Sequence, residues 1–344
     1  MSRLNTKWGS DQVGCKLDTT KGLDIVRKEQ VRKRGLPPLM ENIMASVAYK
    51  FESGFIPQQA EVVPSWRCGS LEFAPATAGM EAEILSALAE PTLTNTVMAG
   101  FIRDHGLLSL QNRGRFYVCR NDSNQLEGVA LIGHQVLFAA LSENAIEGFA
   151  SIARRDQSPH LLMGEHDTVQ RFWSYYADHA QSPRHNCPVL FLQRSEQFQS
   201  RQDVSGLRLA VPEDLELVVR AQAAMVLETS GVDPLQKDPI GFRQRYLRRI
   251  DKNRVWVLIK NRRLIFKLDV ITGTPEASYI EGVYVSPEER GKGLGQSCLT
   301  EVGRRLMEHT NAINLFVENE NARTTAFYLR LGFNIAGHYD LLYF

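Results

Sequence analysis

One stretch constrains this 344-residue chain more than any other: "YVSPEERGKGLGQSCL", Tyr284 to Leu299, which crowds three glycines and two cations into a single turn. Upstream, Ala277 to Val285 ("ASYIEGVYV") is dominated by Tyr, Ile and Val and stopped by Ser286-Pro287, which predicts a strand. Downstream, Leu294, Cys298, Val302 and Leu306 recur every four residues and predict a helix with one apolar face, running to about His309. The first N–H groups of such a helix lack partners, and the macrodipole adds positive potential there. Gly291, Gly293 and Gly295 let an anion approach that backbone without meeting Cβ atoms. The turn reads as a phosphate cradle.

Two common phosphate motifs do not fit. The Walker pattern GxxxxGK[ST] finds no glycine in the required place before Gly291-Lys292. The dinucleotide pattern GxGxxG breaks after Gly293-Leu294-Gly295, which Gln296, Ser297 and Cys298 follow. The segment does match [RQ]xxGxG, as Arg290, Gly293 and Gly295. A second block, "NENARTTAFYLRLGF", has the form N-x6-Y-x3-GF, with Asn321, Tyr328, Gly332 and Phe333. Helical spacing sets Asn321 and Tyr328 about two turns apart on one face, able to point into one cleft.

In these two blocks the chain resembles the GCN5-related N-acetyltransferase (GNAT) family, motif A first and motif B second. The resemblance covers about Leu207 to Phe344. It implies that acetyl-coenzyme A is the cosubstrate and that Arg290, Gly291, Lys292, Gly293, Leu294, Gly295 and Gln296 hold its pyrophosphate. The pantetheine would lie along the strand at Val283, Tyr284 and Val285, with the Val283 amide facing the thioester carbonyl, and Asn321 is carried over as a cofactor contact. Tyr328 matches the tyrosine that protonates the departing thiolate in many members; with an ordinary pKa near 10 it can donate at neutral pH. Glu281 is a candidate base, with a strand glutamate reaching solvent or an arginine as the plain alternative, and is expected on the same sheet face as Val283. The implied activity is an acyl-CoA-dependent N-acyltransferase, carrying acetyl to a primary amine by direct attack in a ternary complex. A non-catalytic coenzyme A sensor or an adaptor is the other reading, and acyl chain length and acceptor stay open.

The rest of the chain suggests a repeat. "SLEFAPATAGMEAEILSALAE" and "GLRLAVPEDLELVVRAQAA" each give a short strand, a proline at a helix start and an apolar-periodic helix. Two strands follow each: "RFYVCR" and "LEGVALIG" in the first half, "RVWVLIK" and "LIFKLDVIT" in the second. Later, "HLLMGEHDTVQRFWSYYADH" and "INLFVENENARTTAFYLRLGF" again give strand, turn and helix. The expected fold is α/β (α+β): tandem GNAT-like domains, each a mixed, mostly antiparallel twisted sheet flanked by helices. The expected boundaries are a basic, flexible leader over 1–40, a degenerate first domain over 41–200, and a catalytic domain over 206–344. The first half shows neither [RQ]xxGxG nor the asparagine–tyrosine series, so one active site is expected.

Bulk features agree with a soluble globular protein: 43% hydrophobic, 23% charged, net charge +1. That charge gives no reason to expect nucleic acid or a membrane as partner. The leader, Met1 to Arg34, is +5, with a nucleic-acid arm or the end of an organellar presequence as alternatives to a solvated tail; Asp11, Asp18 and Asp24 argue against the presequence. Cys15, Cys68, Cys119, Cys187 and Cys298 form no CxxC pair, which points to a reducing compartment, the cytoplasm. Histidines form no HxxxH or HExxH pair, so no metal is expected. Cys298 belongs to the apolar helix face, and Arg243 to Arg254 reads as a basic helix with a solvated face or as the border of an acidic acceptor. The expected partner is a small-molecule or peptide amine, and a homodimer is left open.

Overall fold

The computed structural model describes residues 65–156, 159–177, 183–199 and 204–344; the expected leader over 1–40 and the opening of the expected first domain lie outside them. The first half runs β1 (Trp66–Cys68), β2 (Leu71–Pro75), α1 (Glu81–Ala87), α2 (Leu93–His105), β3 (Gly114–Arg120), β4 (Leu126–Gly133), β5 (Gln135–Ala140), α3 (Glu143–Arg155), β6 (Leu161–Glu165), α4 (His166–Tyr176) and β7 (His185–Arg194). The second runs β8 (Leu207–Leu209), α5 (Leu215–Ser230), α6 (Pro234–Lys237), α7 (Pro239–Asp251), β9 (Val255–Lys260), β10 (Arg263–Gly273), β11 (Ser278–Val285), α8 (Leu294–Leu306), β12 (Ile313–Glu318), α9 (Ala322–Arg330) and β13 (Asn334–Tyr343). From β2 and from β8 onward the two halves repeat one order of elements, apart from one additional helix in the second, and the fold is the expected mixed α/β one.

Local chemistry explains the boundaries. Thr92 and Ser142 cap α2 and α3 by accepting from the amides of Asn95 and Ala145. The β9–β10 hairpin turns through Asn261 and Arg262, both at positive φ, 51° and 60°, the geometry that suits the right-handed twist of paired strands.

The thirteen strands of the described residues join one sheet, in the order β1-β2-β3-β4-β5-β6-β13-β7-β12-β11-β10-β9-β8. The centre of this order is exchanged. β13, from the end of the second half, pairs with β6, and β7, from the end of the first, pairs with β12; β7 and β13 pair with each other. Each half therefore closes its sheet with the other half's last strand.

Alternation along the strands divides the core between two faces. On one, α1 and α2 cover Val129, Leu131, Phe191, Tyr279 and Phe316, while α5 and α7 cover Val255 and Val257. On the other, α3 and α4 pack on Tyr117, Ala130 and Ile132, and α8 and α9 pack on Leu258, Phe266, Leu268 and Ile280. Helix α2 crosses from its own half onto β10 and β11. Asp104 on α2 meets Arg254 at 2.6 and 2.5 Å, and Asn314 on β12 donates to the Pro91 carbonyl at 3.2 Å. Gly100 allows this approach: a Cβ there would lie 1.6 Å from Thr272 Oγ1.

Candidate functional site

Strands β11 and β12 run parallel but pair only at Ser278–Ile313 and Tyr279–Asn314. Past those residues the strands part, and a cleft opens between them, lined by Tyr279 to Val283, Leu315, Phe316, Thr324 and Tyr328. β11 is also bulged there. Its ladder to β10 jumps from Asp269–Glu281 to Lys267–Tyr284, and Gly282 takes φ +61°, which a glycine adopts at no steric cost.

The bulge corrects one expectation. Strict alternation would put Glu281 and Val283 on one face. The extra residue turns Val283 and Val285 toward the α8/α9 face, beside Ile280, whereas Glu281 stays on the α2/α7 face with Tyr279. Tyr284 packs with the α5/α7 core, so only its backbone faces the strand edge. Glu281 (7% exposed) and Tyr328 (7% exposed) consequently reach the cleft from opposite sides of the sheet. The Tyr279 hydroxyl donates to Glu281 Oε1, and burial with the neighbouring Glu281 charge pushes the Tyr279 pKa well above its ordinary value. Tyr328 is held by edge contacts with Phe327 and Phe333, at 5.2 and 5.5 Å between ring centroids.

The glycine turn lies beyond the end of β11. Gly291 and Gly293 have φ of +77° and +80°, with open space where a Cβ would stand; Gly293 is the N-cap of α8. The first bond of the helix runs from Ser297 N to Gly293 O at 3.1 Å, so the amides of Leu294, Gly295 and Gln296 precede the ladder. Gly295 serves another purpose: a Cβ there would sit 2.9 Å from Val285 Cγ2, so its absence lets the helix start tight against the strand. Arg290 Nε donates to Val285 O at 3.1 Å, and Lys292 is 3.4 Å from Glu289. Cys298 is fully buried and burial lifts its pKa to about 12, in keeping with a core role.

Other expected residues fall elsewhere. Asn321 is the N-cap of α9, its side chain accepting from Thr324 N at 3.1 Å, and it does not line the cleft. In the basic stretch, Arg243 is exposed and paired with Glu216, but Arg245 and Arg249 turn inward. Arg249 meets Asp269 at 3.4 Å and lies over the Tyr246 ring at 5.1 Å. The solvated-face reading therefore holds for only one side of α7. Sequence reasoning missed Lys267 and Asp269, both 0% exposed, on the face of β10 that adjoins Glu281. Their signal was legible: two opposite charges two residues apart inside the otherwise apolar "LIFKLDVIT".

In the first half, β5 and β6 likewise pair in parallel at two positions only, Gln135–Leu161 and Val136–Leu162. The helix that follows β5 is closed, however. Ser142 caps α3 by accepting from Ala145 N, and Glu143 in its first turn pairs with Arg171 at 3.0 Å. Among the described residues no group of His, Cys, Asp and Glu is gathered as metal ligands, and no helix is long and apolar enough to cross a membrane.

Comparison with known proteins agrees with this geometry. The sequence profile of the acetyltransferase (GNAT) family matches residues 239–333. No curated protein matches the chain. Among solved structures, an acetyltransferase from the GNAT family of Colwellia psychrerythraea is 12% identical, with TM-score 0.51 over 80% of this chain and 99% of its own. A Drosophila protein is 11% identical, with TM-score 0.53 over 79% of this chain and 98% of its own. The shared fold thus extends across both halves, while the family's sequence signature lies in the second. Residues 239–333 thus match the GNAT family of acetyltransferases, and the fold is that of GNAT proteins.

Proposed function

We propose that the protein is an acyl-CoA-dependent N-acyltransferase, moving acetyl from acetyl-CoA to a primary amine of a small molecule or peptide, with one active site between β11 and β12. The observation that carries this reading is the coincidence of the open amide turn at Gly291–Gln296 with a strand gap that Tyr328 and Glu281 enter from opposite faces.

In this reading the diphosphate of coenzyme A sits against the amides from Gly291 to Gln296, with Arg290 and Lys292 adding positive charge. The pantetheine arm lies in the gap along Val283, Tyr284 and Val285, where β11 has no ladder to β12. The Val283 amide polarises the thioester carbonyl, a contribution of about 3 kcal/mol to the barrier for a well-placed donor. The acceptor enters from the α2/α7 face. Glu281 takes the ammonium proton, directly or through water, and the free amine attacks the thioester carbon. The carbon–sulfur bond breaks, and the thiolate leaves as a thiol with the Tyr328 hydroxyl proton. The proton on Glu281 passes to solvent, and the second proton, which the nitrogen loses as the amide forms, restores Tyr328.

The test is incubation with acetyl-CoA and a panel of polyamines, amino acids, peptides and aminoglycosides while free thiol is followed. Thiol release that depends on an amine supports the reading. Saturable coenzyme binding with no release on any amine contradicts it and leaves a binding protein.

A further inference from the structure

We propose that Lys267 and Asp269 are positioning residues for Glu281: buried together on β10 and facing it across the ladder, they set the local charge against which Glu281 ionises and accepts the acceptor's proton. The inference rests on the acyl-transfer reading above for its kinetic consequence, but not for its electrostatic one.

Three observations lead to it. First, Lys267 Nζ lies 2.7 Å from Asp269 Oδ2, and both side chains are completely shielded from solvent. Replacing such a pair with apolar residues is often neutral or stabilising, so a pair kept among Val255, Val257 and Phe242 is poorly explained by stability alone. Second, Asp269 is the register partner of Glu281 on the adjacent strand, which brings their Cβ atoms to about 5 Å. Third, the contacts on Asp269 are lopsided. Lys267, the Tyr246 hydroxyl at 3.3 Å and Arg249 at 3.4 Å all converge on Oδ2, while Oδ1 is buried with no hydrogen-bond partner. A partnerless carboxylate oxygen in a polar enclosure is where an ordered water would be held.

The charges balance. Asp269 and Glu281 are faced by Lys267 and Arg249, and Asp269 engages both cations directly. On its own strand Glu281 receives the Tyr279 hydroxyl. The other titratable groups around it are Tyr246 on α7, Tyr284 on β11, Tyr343 on β13 and Tyr328 across the gap. Ionic side chains on the other covering helices are engaged elsewhere: Glu216 with Arg243, Asp104 with Arg254, and Arg103 with Glu276. Burial lowers the Lys267 pKa, and Asp269 opposes that fall. The Tyr246 and Tyr279 hydroxyls, pushed well up by burial, remain donors.

An electrostatic role has a signature that packing cannot imitate: the two partners act with opposite sign. Lys267→Met removes a cation, so Glu281 should ionise at higher pH, and the acid limb of kcat/KM should move up. Asp269→Asn removes an anion, so both should move down. The measurement is a difference infrared titration of the carboxylate band that disappears in Glu281→Gln, carried out on the full chain beside the pH–rate profile. A third variant, Lys267→Met with Asp269→Leu, guards against simple unfolding. It should keep the melting temperature and coenzyme A affinity and, because the two charge changes offset, hold the Glu281 band between those of the single variants. Opposite shifts in the single variants that offset in the folded double variant support the inference. Shifts of the same sign, an unmoved Glu281 band in the single variants, or a double variant whose band moves beyond both singles overturn it. Should no amine be acetylated by the unaltered protein, the acyl-transfer reading falls, while the infrared titration still decides this one.

Discussion

Tyr328 shows how much a single side chain can be asked to do here. It is 7% exposed, wedged by Phe327 and Phe333, and lies on the wall of the strand gap opposite Glu281. Replacing its hydroxyl leaves the ring and its packing in place. Tyr328→Phe should therefore lower kcat by about a hundredfold, within the usual range for a general acid, and leave coenzyme A affinity and melting temperature nearly unchanged. Steady-state kinetics beside a calorimetric titration check this, and unaltered kcat would reassign Tyr328 to packing. At the same scale Gly282 explains an error of strict alternation. A glycine inside "YIEGVYV" is a bulge signal, and its φ of +61° moves every later side chain of β11 to the opposite face.

Among the elements, the junction of β11 and α8 carries the most consequence. Three glycines that look alike in sequence do two different jobs. Gly291 and Gly293 supply left-handed backbone at an open surface, and Gly295 lets the helix begin against Val285. Gly295→Ala should force the first turn away from β11. Overpacking of this kind costs about 1–3 kcal/mol, partly offset by about 1 kcal/mol of better helix propensity. A small loss of melting temperature with several-fold weaker coenzyme A binding is the expected result; binding as tight as in the unaltered protein would detach the helix start from the cofactor. This junction was readable because all its determinants lie within thirty residues, Ala277 to Leu306: strand composition, a Ser-Pro stop, the glycines and a four-residue apolar period. Asn321 answers to a second demand as well. Its spacing from Tyr328 is helical, but an asparagine at a helix start caps the amides, and that demand fixed its side chain on Thr324 N.

Across the whole molecule, the exchange of β7 and β13 makes the halves interdependent. Sequence could supply each half's order of elements, because strands and helices are locally encoded. It could not supply the exchange, since β7 and β13 alternate in the same way and either would satisfy β6 or β12 by pattern alone. A chain of residues 206–344 alone would leave β12 without its β7 partner, an open edge beside the cleft, and would lose the α2 contacts of Asn314 and Arg254. Such a fragment should be aggregated or unfolded by size-exclusion chromatography and circular dichroism. A folded, monomeric, coenzyme-binding fragment would show that the first half is dispensable.

Calorimetric titration of coenzyme A into the full chain and into Gly293→Asp tests the central claim most directly. Gly293 faces open space, so the aspartate meets no steric block; it adds about 1–2 kcal/mol of backbone strain and a negative charge at the mouth of the amide turn. Saturable heat at one site per chain is expected, with a loss of affinity of about a hundredfold or more in Gly293→Asp while the protein stays folded. Equal affinity in the two proteins, or no heat in either, would contradict it.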